Sequence, residues 1–218
     1  MTTPKKFYTV GEEIFNSVTH GVGALLAVAG LVILIVESAL FGDGWALASS
    51  LVYGITLIIL YVMSTLYHSF TGPRVKAVFR IFDHCTIYLL IAGTYTPLCL
   101  VTLREDGGFW LFGVVWAAAV LGVVLNAVSL ERFKVFSYIS YVAMGWVAVF
   151  AMEPLFRLLP WPALALLFSG GICYTGGLVF FAVRKKFMHS IWHLFVLAGS
   201  VLHYLMIALY IIPSVWHG

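Results

Sequence analysis

The chain is poor in charged side chains. Asp, Glu, Lys and Arg make up only 10% of its 218 residues, whereas about a quarter of the residues in soluble domains are charged. Hydrophobic residues make up 62% of the sequence, and the mean hydropathy is +1.04. These values exclude an ordinary soluble enzyme and predict an integral membrane protein.

Cysteine is scarce as well. The three cysteines, Cys85, Cys99 and Cys173, are odd in number, far apart and surrounded by apolar residues. This pattern excludes a disulfide framework and a paired-cysteine metal or redox motif, so we expect small core residues. The basic residues are spread over short loops, and we therefore expect no nucleic-acid partner. We also expect no cleaved leader, because the first apolar run is much longer than the core of a signal peptide.

Long apolar runs dominate the rest of the chain. Seven of them are long enough to cross a bilayer, which takes about 20 residues per helix. Turn signals rich in glycine and proline separate them, and no linker or repeat divides the chain. We predict an all-α membrane protein, a seven-transmembrane helix bundle that forms a single domain over residues 1–218. The predicted spans are 17–41, 45–70, 81–103, 109–128, 135–152, 163–183 and 189–212.

Basic residues predict the orientation of this bundle. Ten of the 12 lysines and arginines fall in loops on one side, and only Arg104 and Arg157 fall on the other. Basic residues concentrate in cytoplasmic loops, so we expect a cytoplasmic N-terminus and, with an odd number of spans, a C-terminus outside. The basic side holds Lys5, Lys6, Arg74, Lys76, Arg80, Arg132, Lys134, Arg184, Lys185 and Lys186.

Histidines gather at the cytoplasmic ends of the predicted helices. His189 and His193 begin the last span and lie four residues apart, which stacks them on one helical face about 6 Å apart. That pair alone is a weak signal, since two histidines at this spacing could equally pack against other side chains or cap a helix. His68, however, lies near the end of the second span, and Asp83 begins the third. Ionisable groups at membrane depth are costly and indicate function, so we predict that these side chains form one site.

The residue types in this site suit zinc. Catalytic zinc typically has three protein ligands and a water molecule, whose pKa falls to about 7. His68, His189 and His193 are the predicted metal ligands. Asp83 is placed to orient the water as a base, although it is also suited to cap the third helix. Ser64 lies one turn from His68 and is a second candidate, although its hydroxyl could instead bond a carbonyl of its own helix.

Further polar residues lie near this site. Glu13, Asn16 and His20 share one face of the first helix and are candidates for supporting the metal or facing a substrate, or for a plain polar cluster at the membrane boundary. His203 lies about 15 Å beyond His193 along its helix, too far to share the metal. We expect it to be hydrogen-bonded in the interior or to line an inner cavity.

Four motifs in this order resemble those of the hemolysin III family. This family is the bacterial branch of the progestin and adiponectin receptor (PAQR) superfamily and is similar to the alkaline ceramidases. The resemblance implies a seven-helix bundle in the bacterial plasma membrane. It also implies a cytoplasmic-side zinc held by His68, His189 and His193, with Asp83 and Ser64 near the bound water. The motifs are residues 12–21, 64–68, 83–97 and 189–193.

Three functions are compatible with these observations. The leading hypothesis is a membrane-embedded, zinc-dependent hydrolase that cleaves a lipid amide or ester and so acts in membrane lipid homeostasis. The second is a non-enzymatic sensor or regulator of the membrane in which zinc is structural. The third, a pore-forming cytolysin, is suggested by the family's historical name, but the polar groups gather at one end and offer no continuous ionisable track.

Overall fold

The computed structural model describes residues 8–183 and 185–213, so Lys5, Lys6 and Arg184 of the basic set lie outside the described residues. Within these ranges all regular structure is helical. This confirms the predicted all-α fold. The α-helices are α1 (Val10–Phe41), α2 (Gly44–Ser69), α3 (Pro73–Pro97), α4 (Phe109–Gly145), α5 (Met152–Leu158), α6 (Trp161–Ala182) and α7 (Met188–Met206). Short helical turns of other types extend α3 to Thr102, follow α4 at Val147–Ala151 and extend α7 to Ile211.

The outer surface of the bundle is apolar. Leu25 of α1 is 74% exposed and Phe150 is 88% exposed, and large apolar residues lie on the outer faces of all the long helices. In contrast, the interior buries polar residues such as Asn16, His20 and Asp83. Water disfavours this arrangement and a bilayer favours it, so the chain is a multi-pass membrane protein.

The number of spans differs from the simple expectation. Within the described residues, six helical stretches are long and apolar enough to cross a membrane, and one of them, Arg104–Leu158, has 55 residues. As a straight helix this stretch would be about 80 Å long, far more than the hydrocarbon core of about 30 Å. The predicted fourth and fifth spans both lie in this stretch. The described residues therefore contain six candidate spans where the sequence predicts seven.

A break at Ser129 divides this long stretch. Ser129 has an extended backbone (φ −166°, ψ 104°), and its hydroxyl accepts a hydrogen bond from the Arg132 amide at 3.3 Å. Beyond it, Ser137 Oγ donates to Asn126 Oδ1 at 2.6 Å, and Asn126 Nδ2 donates to Tyr141 OH at 3.3 Å. In a straight helix, residues 126 and 137 would be about 16 Å apart. The chain therefore folds back at Ser129 into two arms.

Helix boundaries extend past the predicted spans at the end where the histidines lie. Helix α1 begins at Val10 and α3 at Pro73, earlier than the predicted positions 17 and 81. The early start of α1 has a local cause, a capping box in which Thr9 and Glu12 bond each other's backbone amides. Helix α3 begins with a proline, whose fixed φ suits a first helical turn. Apolar run length alone does not detect such polar first turns.

The first, second and seventh helices meet in the interior. Gly23 of α1 lies against the ring of Tyr61 of α2, and a Cβ at this glycine would lie 2.7 Å from two ring carbons. The absence of a side chain therefore allows the ring to approach the α1 backbone. Tyr204 of α7 reaches α1 as well, and its hydroxyl donates to the Gly30 carbonyl at 3.3 Å. These contacts pack α1 closely against both α2 and α7.

Candidate metal centre

Three imidazoles converge where α2 ends and α7 begins. His68, His189 and His193 are all buried, and one ring nitrogen from each lies within 4.8 Å of the other two. The Nε2 atoms of His68 and His189 are 3.3 Å apart, and those of His189 and His193 are 3.1 Å apart. The predicted trio is thus brought together by two helices whose ligands are more than a hundred residues apart in sequence.

The protonation pattern of this group favours a cation. His68 Nδ1 donates to the carboxylate of Glu13 at 2.7 Å, so in the neutral ring its Nε2 carries a lone pair. One proton, on either His189 Nε2 or His193 Nε2, can satisfy only one of the two close contacts, which leaves the other without a hydrogen bond. Two ligands that lie about 2.0–2.1 Å from a tetrahedral zinc are about 3.3 Å apart. The donor set and its spacing therefore fit a divalent metal ion.

Glu13 links this group to α3. Its Oε2 accepts from His68, and its Oε1 accepts from Lys76 Nζ at 2.8 Å. The same ammonium donates to the carbonyls of Tyr67 and Phe70 at 2.9 and 3.3 Å. A carboxylate on the second nitrogen of a ligand histidine fixes its tautomer and orientation and raises its basicity. Glu13, predicted only as a supporting residue, thus has a defined contact with His68.

Glu12 holds the beginning of α7. Its Oε1 accepts from the Phe187 amide at 2.7 Å, and its Oε2 accepts from the amide and hydroxyl of Thr9 at 2.8 and 2.7 Å. Phe187 has a positive φ of 61°, a conformation unusual for a bulky residue. It immediately precedes Met188 and His189, so the Glu12 contact helps to fix where α7 and its ligands begin.

Asp83 and Ser64 are both buried, at 3% and 1% exposure. Asp83 lies well inside α3 and cannot be its N-cap, because that helix begins at Pro73. It lines an inner cavity together with His20 and is not one of the three residues of the candidate metal group. Ser64 Oγ has no hydrogen-bond partner in the described part of the chain, so the alternative bond to a carbonyl of its own helix is not formed.

Asn16 and His20 lie beside the histidine group. The His20 ring stacks on that of His193, with centroids 3.6 Å apart and planes 23° apart, and it also contacts Tyr61 edge-on and Trp192 at a tilt. Both residues are fully buried, and among residues 8–183 and 185–213 their side-chain polar atoms have no hydrogen-bond partner. An unsatisfied buried polar group costs about 1–3 kcal/mol. These atoms are therefore available to a molecule in the site.

Sequence reasoning missed Tyr8. Its ring lies against His189 and His68, with centroid distances of 4.7 and 5.6 Å. Burial raises the pKa of Tyr8, and the nearby Tyr67, Asp83 and Glu13 raise it further, so the phenol stays protonated. The capping box of Thr9 and Glu12 was a readable signal that the helix begins next to Tyr8, but nothing in the sequence predicted the direction of the ring.

Two cavities adjoin the histidine group. An inner cavity of about 110 Å³ begins at His20 and Asp83 and reaches His203 along walls that are mostly apolar. A wider groove of about 850 Å³ lies outside it, with Tyr8, Glu13 and His68 on one wall and the break after Asn126 on another. The histidine group therefore lies between the wider groove, which opens at the same end of the bundle, and the apolar inner cavity.

The chain is similar to known proteins over most of its length. The family described as "Haemolysin-III related" matches residues 8–204. The chain is 42% identical over 206 residues to "Hemolysin-3" of Bacillus cereus, covering 94% of each chain. It is 41% identical to the "Hemolysin-3 homolog" of Bacillus subtilis (strain 168), covering 93% of this chain and 96% of the relative. It is 29% identical to the human "Monocyte to macrophage differentiation factor", covering 94% and 87%. No solved structure matches it significantly.

Proposed function

The chain belongs to the haemolysin III-related family, and from that membership and its buried histidine group we propose that it is a membrane-embedded, zinc-dependent hydrolase of lipid amides or esters. The observation that carries the proposal is the convergence of His68, His189 and His193. Zinc bound there would supply a Lewis acid and a water molecule that is deprotonated near neutral pH. The excess of basic residues in the loops at this end favours a cytoplasmic position for the site.

The remaining groups have roles that follow from their positions. Asp83 is a buried carboxylate on the cavity wall and would accept the proton as water attacks the substrate carbonyl. Ser64 Oγ would donate to the carbonyl oxygen as negative charge develops there. The products are a fatty acid and the released amine or alcohol. Glu13 would keep the His68 ring in the orientation that binds metal.

The inner cavity suits the apolar part of such a substrate. Its walls include Leu60, Leu90 and Val196, and polar atoms line little of it. An acyl chain in this cavity would be shielded from water, and its carbonyl would lie at the end where His20 and Asp83 are. This supports a lipid substrate over a water-soluble one.

Metal content and turnover test the proposal together. Purified protein in lipid nanodiscs should contain about one zinc per chain and release fatty acid from ceramide or from another acyl-lipid amide or ester. His193→Ala should lose both zinc and turnover. Asp83→Asn should keep its zinc and lose about 10²- to 10⁴-fold in kcat, the usual effect of a lost acid or base.

His84→Gln is the matched control. His84 lies at the same end, but its Nδ1 donates to the Arg80 carbonyl at 2.8 Å and it is not in the histidine group. This variant is a control for zinc content alone, because His84 Nδ1 also lies 3.7 Å from Asp83 Oδ2, and it should keep its zinc. Full turnover in His193→Ala, or zinc-loaded protein that cleaves no acyl-lipid amide or ester, would exclude the proposed reaction.

A structural metal is the second candidate. It is favoured by the way the three imidazoles join α2 to α7 while Glu13 adds α1, because a metal in that position would cross-link the helices of a non-enzymatic regulator. X-ray absorption spectroscopy of the zinc-loaded protein separates the two. Three nitrogen ligands and one exchangeable oxygen support catalysis, and four protein ligands support a structural metal.

A further inference from the structure

His203 lies at the far end of the inner cavity from the histidine group. It is on α7, about 15 Å beyond His193, and is 8% exposed. It lines the inner cavity and also a smaller adjoining cavity of about 40 Å³, and both cavities share Thr94, Tyr95 and Gly171. One apolar space thus has polar groups at both ends.

The tautomer of His203 follows from its one hydrogen bond. Its Nε2 lies 3.0 Å from the carbonyl oxygen of Leu167. A carbonyl can only accept, so in the neutral ring Nε2 carries the proton and Nδ1 carries a lone pair. Nδ1 is buried and has no partner among the residues that the structure describes. His203 therefore presents an unsatisfied acceptor at membrane depth, which is costly unless a donor meets it.

The direction of that acceptor is set by α6. The edge of the ring formed by Nε2 and Cδ2 lies directly against Gly170, where a side chain would collide with it. In an imidazole, the atom opposite that edge is Nδ1. The lone pair of His203 therefore points away from α6, and the close glycine contact holds the ring in this orientation.

We propose that the inner cavity binds an acyl chain that carries a hydroxyl group near its far end, and that this hydroxyl donates a hydrogen bond to His203 Nδ1. The placement of the chain's head at the histidine group rests on the proposed function. Extended carbon–carbon bonds of about 1.5 Å advance a chain by about 1.3 Å each, so a chain of about twelve carbons spans the distance. Such a chain is larger than the cavity of about 110 Å³, so the side chains on the cavity wall must move apart when it binds. His203 would then determine specificity for hydroxylated chains and would take no part in bond cleavage.

Binding of matched fatty acids tests this without any turnover. The probes are decanoic, dodecanoic and tetradecanoic acids and their ω-hydroxy derivatives, competed against a fluorescent fatty acid on zinc-loaded protein in nanodiscs. Empty nanodiscs correct for the weaker partition of the hydroxylated probes into lipid. We expect the hydroxylated probe to bind about three- to tenfold more tightly than its parent, which is the range for one net hydrogen bond, with the largest ratio at one chain length.

Two variants complete the test. His203→Phe keeps an aromatic ring without the acceptor and should abolish the preference. Tyr174→Phe is the control, because the Tyr174 ring contacts His203 but its hydroxyl is paired with Ser200 at 2.8 Å; this variant should keep the preference.

The inference is overturned if the wild-type protein shows no preference at any chain length, or if the preference survives in His203→Phe. The wild-type length series keeps the test decisive if His203→Phe does not fold. Because the assay measures binding alone, failure of lipid cleavage would count against the proposed hydrolase and not against this subsite.

Discussion

The carboxylates that contact His68 and the beginning of α7 are more buried than the carboxylates that pair with arginines at the opposite end of the bundle. At the histidine end, Glu12 is 4% exposed, and the Glu13 side chain is 20% exposed and bonds both His68 and Lys76. At the opposite end, Asp43 and Arg104 pair at 2.8 Å with both side chains 34% exposed. Arg157 pairs there with Asp106 and is 52% exposed.

This difference in burial distinguishes carboxylates that position other groups from carboxylates that only tie loops together. Exposed pairs are screened by water and contribute about 0–1 kcal/mol. A carboxylate that is withdrawn from solvent and bonded to a ligand ring or a backbone amide has a larger effect, because its removal leaves a buried partner unsatisfied. Charges at the two ends should therefore respond very differently to the same substitution.

Removal of the Glu13 charge should give the largest effect. Glu13→Gln keeps the shape of the side chain but weakens the acceptor for His68 Nδ1, and we expect metal affinity to fall about 10- to 100-fold. Competition with a chromophoric chelator measures it. Glu153→Gln, an exposed carboxylate at the opposite end, is the control and should bind metal normally. Equal metal affinities in Glu13→Gln and Glu153→Gln would contradict the expected difference between the two ends of the bundle.

Loss of the Glu12 side chain should give an intermediate effect. Glu12→Ala leaves the Phe187 amide without its acceptor and breaks the capping box, which should lower stability by about 1–3 kcal/mol. Thermal unfolding of the detergent-solubilised protein measures the change. Glu105→Ala, whose side chain is 89% exposed, should unfold like the wild type. A comparable loss of stability in Glu105→Ala would mean that burial of the carboxylate does not determine the size of the effect.

The smallest effect should come from the exposed Asp43–Arg104 pair. Burial alone would raise the pKa of Asp43, but the Ala46 amide and the Arg104 guanidinium outweigh it and hold that pKa below its usual range. The resulting stability is present above the unfolded pKa of about 3.9 and is lost as pH falls through the lower folded pKa. Arg104→Ala should cost less than about 1 kcal/mol.

A pH series of unfolding temperatures, from neutral to about pH 2, measures that last effect. In Arg104→Ala the pKa of Asp43 should move back towards its unfolded value, so less stability should be lost between neutral pH and about pH 2 than in the wild type. High salt should shrink the difference between the two proteins at neutral pH. A large loss of stability that salt does not reduce would instead mean that the Asp43–Arg104 pair behaves like a buried pair.

The sequence allowed prediction of the helical membrane fold and of the three converging histidines. Both depend on quantities that sequence carries directly, namely the length of apolar runs and the depth of each polar residue along its helix. Depth was enough to group His68 with His189 and His193, because successive helices run in opposite directions. Span boundaries, orientation in the membrane and the roles of Asp83 and Ser64 remain predictions.

Rotation about each helix axis and the path of the loops were not predictable in the same way. The contact between Glu12 and Phe187 joins residues 175 positions apart and depends on the left-handed backbone of Phe187. The predicted loop between the fourth and fifth spans is instead a helix broken at the single residue Ser129, because a serine hydroxyl can cap the second arm at once. Such features depend on tertiary packing, and no local pattern specifies them.

The position of Tyr8 also bears on how fast a metal ion could be exchanged. Its ring lies over two of the three imidazoles, and the capping box of Thr9 and Glu12 fixes the adjoining turn. An ion entering or leaving on that side must wait for this turn to open. Occupancy of the site by a metal ion would then be governed by an opening rate as well as by affinity.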